Sequence, residues 1–118
     1  MGRRALNRTF LPEVFDDLRD LAESDERLVD VALQAVTDLA EHRKKGKALG
    51  VRHVSGDLTT CYRLRFDLAG QKPERFRIVY QLLPTSTQPS TIEVISIGPR
   101  GGHVAYQAAV VRLIALGQ

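Results

Sequence analysis

Arg63 and Arg65 stand two apart in "TTCYRLRFDL", residues 59–68, and Arg77 follows in "RFRIVY", residues 75–80. A guanidinium is a permanent cation whose planar fork matches phosphate or carboxylate bidentately, so three of them on one surface point to an anion. Arginine keeps its proton and can only stabilise charge, whereas a lysine could also serve as a base. Arg100 and Tyr106 stand in "SIGPRGGHVAY", residues 96–106, where Pro99, Gly101 and Gly102 shape a sharp turn. His103 lies three residues before Tyr106 and is an auxiliary acid/base candidate, since histidine is the side chain that titrates near neutrality. The plainer readings are a surface histidine at a helix start, an ordinary turn arginine and a core tyrosine. Cys61 is the only cysteine, which excludes an internal disulfide or a cysteine-based zinc site. The chain offers no convincing metal set and no cofactor motif.

Those side chains need strands and a helix to hold them. Tyr62, Leu64, Phe66 and Leu68 alternate with Cys61, Arg63, Arg65 and Asp67, the period-2 pattern of a half-buried strand. Phe76, Ile78, Tyr80 and Leu82 alternate with Arg75, Arg77, Val79 and Gln81 in a second strand. "LAGQKPER" between them reads as a hairpin loop punctuated by Gly70 and Pro73. Side chains on one face of antiparallel neighbours align with Cβ atoms about 5 Å apart, so Arg63, Arg65 and Arg77 are expected to cluster opposite the apolar face. Asp67 is placed to neutralise part of that cluster, and exposed arginines on a solvated sheet face are the ordinary alternative. "LPTSTQPS" makes a second turn, and "TIEVISI" is apolar enough on both sides to be a central strand. "GPRGG" then breaks the pattern before a last helix from about His103 to Leu116, whose first N–H groups would suit an anion.

Ahead of the strands the period is helical. Residues 5–10 suit a short opening strand. Pro12 suits a first helical turn, with Val14, Phe15, Leu18, Leu21 and Ala22 following at 3- and 4-residue spacing. Ser24 or Asp25 can cap a second helix with the stripe Leu28, Val31, Ala32, Ala35, Val36 and Leu39. "EHRKKGK", residues 41–47, is expected to close that helix, its cations facing the negative end of the helix dipole. The expected fold is α+β: an N-terminal helical hairpin packed on a small antiparallel sheet of three to four strands, with a C-terminal helix.

A chain of 118 residues with 43% hydrophobic content fits one domain, residues 1–118. No run approaches the ~18 apolar residues of a membrane span, and "MGRRALNRTF" lacks the apolar stretch of a signal peptide, so a reducing cytoplasm is the expected compartment. Charge is divided unevenly. Residues 1–50 hold nine Lys/Arg against ten Asp/Glu, whereas residues 51–118 hold eight against four, all arginine but Lys72. The positive potential therefore accompanies the candidate site.

"GDLTTCYRLRFD", "RFRIVYQLL", "EVISIGPR" and "VAYQAAVVRL", in that order over residues 10 to 116, resemble the RelE/ParE superfamily of type II toxin–antitoxin toxins. The nearer branch is RelE, which implies its microbial-ribonuclease type of fold and cleavage of mRNA in the ribosomal A site. The resemblance assigns the catalytic and RNA-binding set to Arg63, Arg65, Arg77 and Arg100, with Tyr106 as a further catalytic residue. It departs from RelE in one respect: the pair at 63 and 65 is typically lysine there. A lysine base is therefore replaced by charge stabilisation.

The implied reaction is attack by the 2′-hydroxyl of the RNA on the adjacent phosphate, which needs no metal or cofactor. Tyr106 would stack on a base or handle the 2′-hydroxyl proton, and Arg100 would bind the scissile phosphate or stabilise the leaving oxygen. The implied partners are a cognate antitoxin, acidic and partly disordered, in a hetero-oligomer, and the ribosome carrying mRNA in its A site; no membrane is implied. Two other readings stand beside it: a non-catalytic DNA gyrase inhibitor of the ParE kind, and an inactive relative that only binds an antitoxin.

Overall fold

The two alternating runs pair as expected in a computed structural model that describes residues 3–52 and 56–117. β3 (Gly56–Phe66) runs antiparallel to β4 (Phe76–Leu83), with Tyr62 opposite Tyr80, Leu64 opposite Ile78 and Phe66 opposite Phe76. β5 (Thr91–Pro99) pairs antiparallel with the other side of β4, and its Ile92, Val94, Ile95 and Ile97 are all buried. "TIEVISI" is thus a strand inside the sheet.

The sheet is larger and of a different kind than the pattern predicted. β1 (Asn7–Phe10) lies parallel to β5, and β2 (Lys47–Arg52) lies antiparallel to β3. The described residues therefore form a five-stranded mixed sheet in the order β1-β5-β4-β3-β2, not three or four antiparallel strands. β2 escapes the periodicity because its register shifts between Ala48 and Gly50, and Gly50 sits at φ 81. It is a bulged edge strand with a single neighbour, so only part of its pattern is imposed by burial.

α1 (Glu13–Ser24) and α2 (Arg27–Ala40) lie between β1 and β2 in sequence. Pro12 occupies the N-cap position of α1, and Asp25 Oδ1 accepts the Arg27 N–H at 2.9 Å ahead of α2. Leu28, Ala32, Ala35, Val36 and Leu39 are buried, as the stripe requires, but Phe15 is 60% exposed and does not join the core. α2 also stops earlier than expected. His42 takes a left-handed φ of 63, and the Arg43 N–H turns back to Asp38 O at 2.8 Å. That reversal is a common way for a helix to end. The cations of "EHRKKGK" therefore lie in a loop, where Arg43 and Lys44 pair with Asp38.

α3 (Val104–Ala115) lies on the sheet face opposite Leu39 of α2. With helices on both sides, β4 is buried on both: Ile78 and Tyr80 face one layer, Arg77 and Val79 the other. No described helix is long and apolar enough to cross a membrane.

Asp67 does not neutralise the arginine cluster. Its Oδ2 accepts the Arg75 N–H and Nε at 3.0 and 2.8 Å, while Oδ1 accepts the Leu68 N–H at 2.7 Å and Arg75 Nη2 at 2.9 Å. These bonds, those from the Arg75 side chain foremost, hold its carboxyl at about 2, below the ordinary 3.8. A carboxylate depressed on folding stabilises the fold at neutral pH, and that contribution is lost as pH falls from 3.8 through about 2. Asp67→Asn is therefore expected to cost about 1–2 kcal/mol at neutral pH, the half-exposed Arg75 limiting the figure. In acid titrations followed by circular dichroism, the variant should lose the part of the parent's pH dependence that falls in this window.

Candidate functional site

Strand register decides how the arginines meet. Arg65 stands opposite Arg77 and Arg77 opposite Gly98, one row across β3, β4 and β5. Arg63, Val79 and Ser96 make the next row on the same face. The expected cluster is present, and like charges face each other directly.

The face is only partly open: α3 covers the Arg77 end of the row, while Arg65 at its outer end stays exposed. The plainer alternative of a wholly solvated arginine face therefore does not describe it. Gly98 carries no side chain, and a Cβ there would already touch Ala105 of α3 at 3.8 Å. Ser96 Oγ donates to Ala105 O at 2.7 Å and fixes the same turn of helix over the second row. The helix backbone therefore approaches β5 closely at position 98.

Burial sorts the five arginine and tyrosine candidates. Arg77 is 5% exposed; its Nη1 donates to Glu74 O and Phe76 O, both at 2.9 Å, and its buried Nε has no partner. Among the described residues no carboxylate pairs with it. Arg65 is exposed and likewise makes no hydrogen bond or ion pair among the described residues. The Glu74 carboxyl, held down first by Lys72, feels Arg65 only as the last of several influences. Arg63 is half-buried. Arg100 is exposed at the end of β5, anchored by its N–H to Arg75 O at 2.8 Å, and lines a shallow hollow with Glu74 and Arg75.

Tyr106 is 3% exposed, on the sheet side of α3. His103 is half-buried rather than a surface residue. It takes a left-handed φ of 57 at the N-cap position, and its buried Nδ1 has no partner. Among the described residues no three His, Cys, Asp or Glu side chains converge as metal ligands.

One pair had no signature in the sequence. β1 pairs with β5 only as far as Val94, so beyond it the outer edge of β5 lacks a strand neighbour. Asp17 of α1 and Arg112 of α3 take that place. Asp17 Oδ2 accepts the Ile97 N–H at 2.9 Å, and Arg112 Nη1 donates to Ile95 O at 3.0 Å. The two side chains join each other at 2.6 and 2.8 Å. Residues 80 and 95 positions apart meet here, beyond the reach of any local pattern.

Helices ahead of a mixed sheet, with arginine rows running beneath a final helix, form the architecture of a RelE/ParE toxin. The family described as "ParE toxin of type II toxin-antitoxin system, parDE" matches residues 9–103, and the chain belongs to it. The match ends one residue before α3, so it includes Arg100 and His103 but not Tyr106. Among solved structures, a free-state E. coli toxin RelE with two arginines replaced by alanine is 20% identical, with a TM-score of 0.64 over 92% of this chain and 98% of that one. The toxin–antitoxin complex RelBE2 from Mycobacterium tuberculosis is 17% identical, with a TM-score of 0.59 over 85% of this chain and 98% of that one. At these identities the likeness shows the fold alone. No relative among curated proteins matches the sequence. A type II toxin has a cognate antitoxin as its partner.

Proposed function

We propose that this toxin is a cytoplasmic endoribonuclease that cuts mRNA in the ribosomal A site and so inhibits translation. The observation that carries the reading is Arg77: a guanidinium 5% exposed, unpaired with any described carboxylate, directly opposite Arg65. A buried cation without a counter-charge is costly, and a phosphate arriving at its row would supply the missing charge.

In the proposed reaction the RNA 2′-hydroxyl attacks the adjacent phosphate, forming a 2′,3′-cyclic phosphate and releasing a 5′-hydroxyl. Arg63, Arg65 and Arg77 stabilise the charge that develops on the phosphorane oxygens. Arg100, exposed at the edge of the row, binds the scissile phosphate or steadies the leaving oxygen. Tyr106 handles a proton, because its buried ring makes base stacking the poorer of its two roles. His103, one helical turn earlier, is the auxiliary acid/base. Without a strong base the site depends on the ribosome to bend mRNA into line. An acidic, partly disordered antitoxin would hold the toxin inactive in a hetero-oligomer.

The family match favours a second reading, a ParE-type inhibitor of DNA gyrase without chemistry of its own. Induction without antitoxin, followed by primer extension on cellular mRNA, separates the two. Cleavage within translated codons that disappears in Arg100→Ala and falls at least about tenfold in Tyr106→Phe is the expected result. Growth arrest with DNA damage and intact mRNA would establish the gyrase reading instead.

A further inference from the structure

On the face away from the arginine rows, a cavity of about 620 Å³ opens between the end of α2, the segment before β1 and the β4–β5 turn. Its floor is apolar: Leu39 from α2, Leu82 and Ile92 from the sheet, and the stacked rings of Tyr62 and Tyr80, 5.6 Å between centroids. The Tyr80 hydroxyl accepts the Gly46 N–H at 3.0 Å, and burial pushes it up to about 12, so it stays neutral. A side chain at position 46 would collide with that hydroxyl. Glycine there lets the basic loop settle at the mouth of the cavity.

The rim has one sign of charge. Arg3, Arg4, Lys44 and Lys45 line it, and no acidic side chain does. Lys44 has Asp38 at 3.8 Å; the other three have no carboxylate at ion-pair distance among the described residues. An aliphatic floor beneath a cationic rim complements an occupant that is apolar on one side and anionic on the other.

We propose that this groove seats an acidic peptide segment, its aliphatic side chains on Leu39, Leu82 and Ile92 and its carboxylates on the rim cations. A nucleic-acid strand would match the charge but not the aliphatic floor, where Leu39, Leu82 and Ile92 outnumber the two half-buried rings, Tyr62 and His42, on which a base could stack. Membership of a type II toxin family supplies a source for such a segment, the antitoxin. The proposal rests on that membership and not on the ribonuclease reading. It also separates masking from anchoring: a segment held here leaves Arg65, on the other side of the sheet, and Arg100, past the end of β5, uncovered.

The test uses the isotopically labelled full chain made by cell-free synthesis. Its amide resonances are followed on adding a short peptide of alternating glutamate and leucine, its serine-for-leucine counterpart, or an oligouridylate of equal charge. The glutamate–leucine peptide is expected to shift Gly46, Leu82 and Thr87, and to bind about tenfold more weakly when Arg4→Glu and Lys45→Glu are combined. Arg65→Ala is expected to bind it as the parent does, whether or not that variant still cleaves mRNA. Shifts at Arg65 and Arg77 instead, equal binding of the serine peptide, occupation by oligouridylate alone, or no binding at all would each overturn the proposal.

Discussion

Arg77→Met is expected to abolish mRNA cleavage while leaving the melting temperature at or above that of the parent protein. The parent buries a guanidinium to 5% exposure and returns only two bonds to backbone carbonyls, with Nε unpartnered. Burying an uncompensated charge costs several kcal/mol, whereas two charge-assisted hydrogen bonds recover about 3–6. Methionine has similar reach and removes both sides of that balance, so stability should change by between zero and about +2 kcal/mol. Loss of one preorganised cation from a phosphoryl-transfer site is worth about a hundredfold or more in rate. Sulfate gives an independent readout: at millimolar concentration it should raise the melting temperature of the parent more than that of the variant. The difference is the part that comes from binding at Arg77 beyond sulfate's general stabilising effect. A variant that melts several degrees lower yet cleaves normally would make Arg77 a tie for the 74–76 backbone and remove it from the site.

The way Arg77 is buried marks where sequence patterns stop. Alternation placed Arg63, Arg65 and Arg77 on one face because Tyr62, Leu64, Ile78 and Tyr80 had to turn the other way, and the register agrees. It was silent on what covers the arginine side. α3 is apolar on nearly every side, with Gln107 and Arg112 as its only strongly polar residues, so no stripe announces which surface it packs against. Its docking rests instead on contacts between distant segments, such as Ser96 Oγ with Ala105 O and the close approach of Ala105 to Gly98. The same limit hid the parallel pairing of β1 with β5, which joins residues more than eighty positions apart. At the end of α2 two local tendencies compete. The cations after Ala40 suit a helix terminus, yet His42 leaves the helical region first, and Arg43 and Lys44 return to Asp38 as loop residues.

The other large effect is expected where α3 is held to the sheet edge. Asp17→Ala should destabilise the protein by about 3 kcal/mol, because it strands two groups at once. The Ile97 N–H loses its acceptor, and Arg112 keeps only Ile95 O in a site where the two side chains are 15% and 12% exposed. The guanidinium cannot escape by losing its proton, since arginine stays charged at any pH the fold survives. Arg112→Ala should cost less, about 2 kcal/mol, since Asp17 keeps the Ile97 N–H. The double variant should fall short of the sum of the two by about 1 kcal/mol or more. Hydrogen exchange should quicken first across residues 104–115 while the β3–β4 ladder remains protected, and cleavage should weaken as Tyr106 loses its seat. Exchanging the charges, Asp17→Arg with Arg112→Asp, should not restore stability. The edge of β5 needs an acceptor at Ile97 N and a donor at Ile95 O, and the swap offers each the wrong partner. Full rescue by the swap would mean that the pair acts through charge alone, and that α3 is held to the sheet by its apolar contacts and not by the edge of β5.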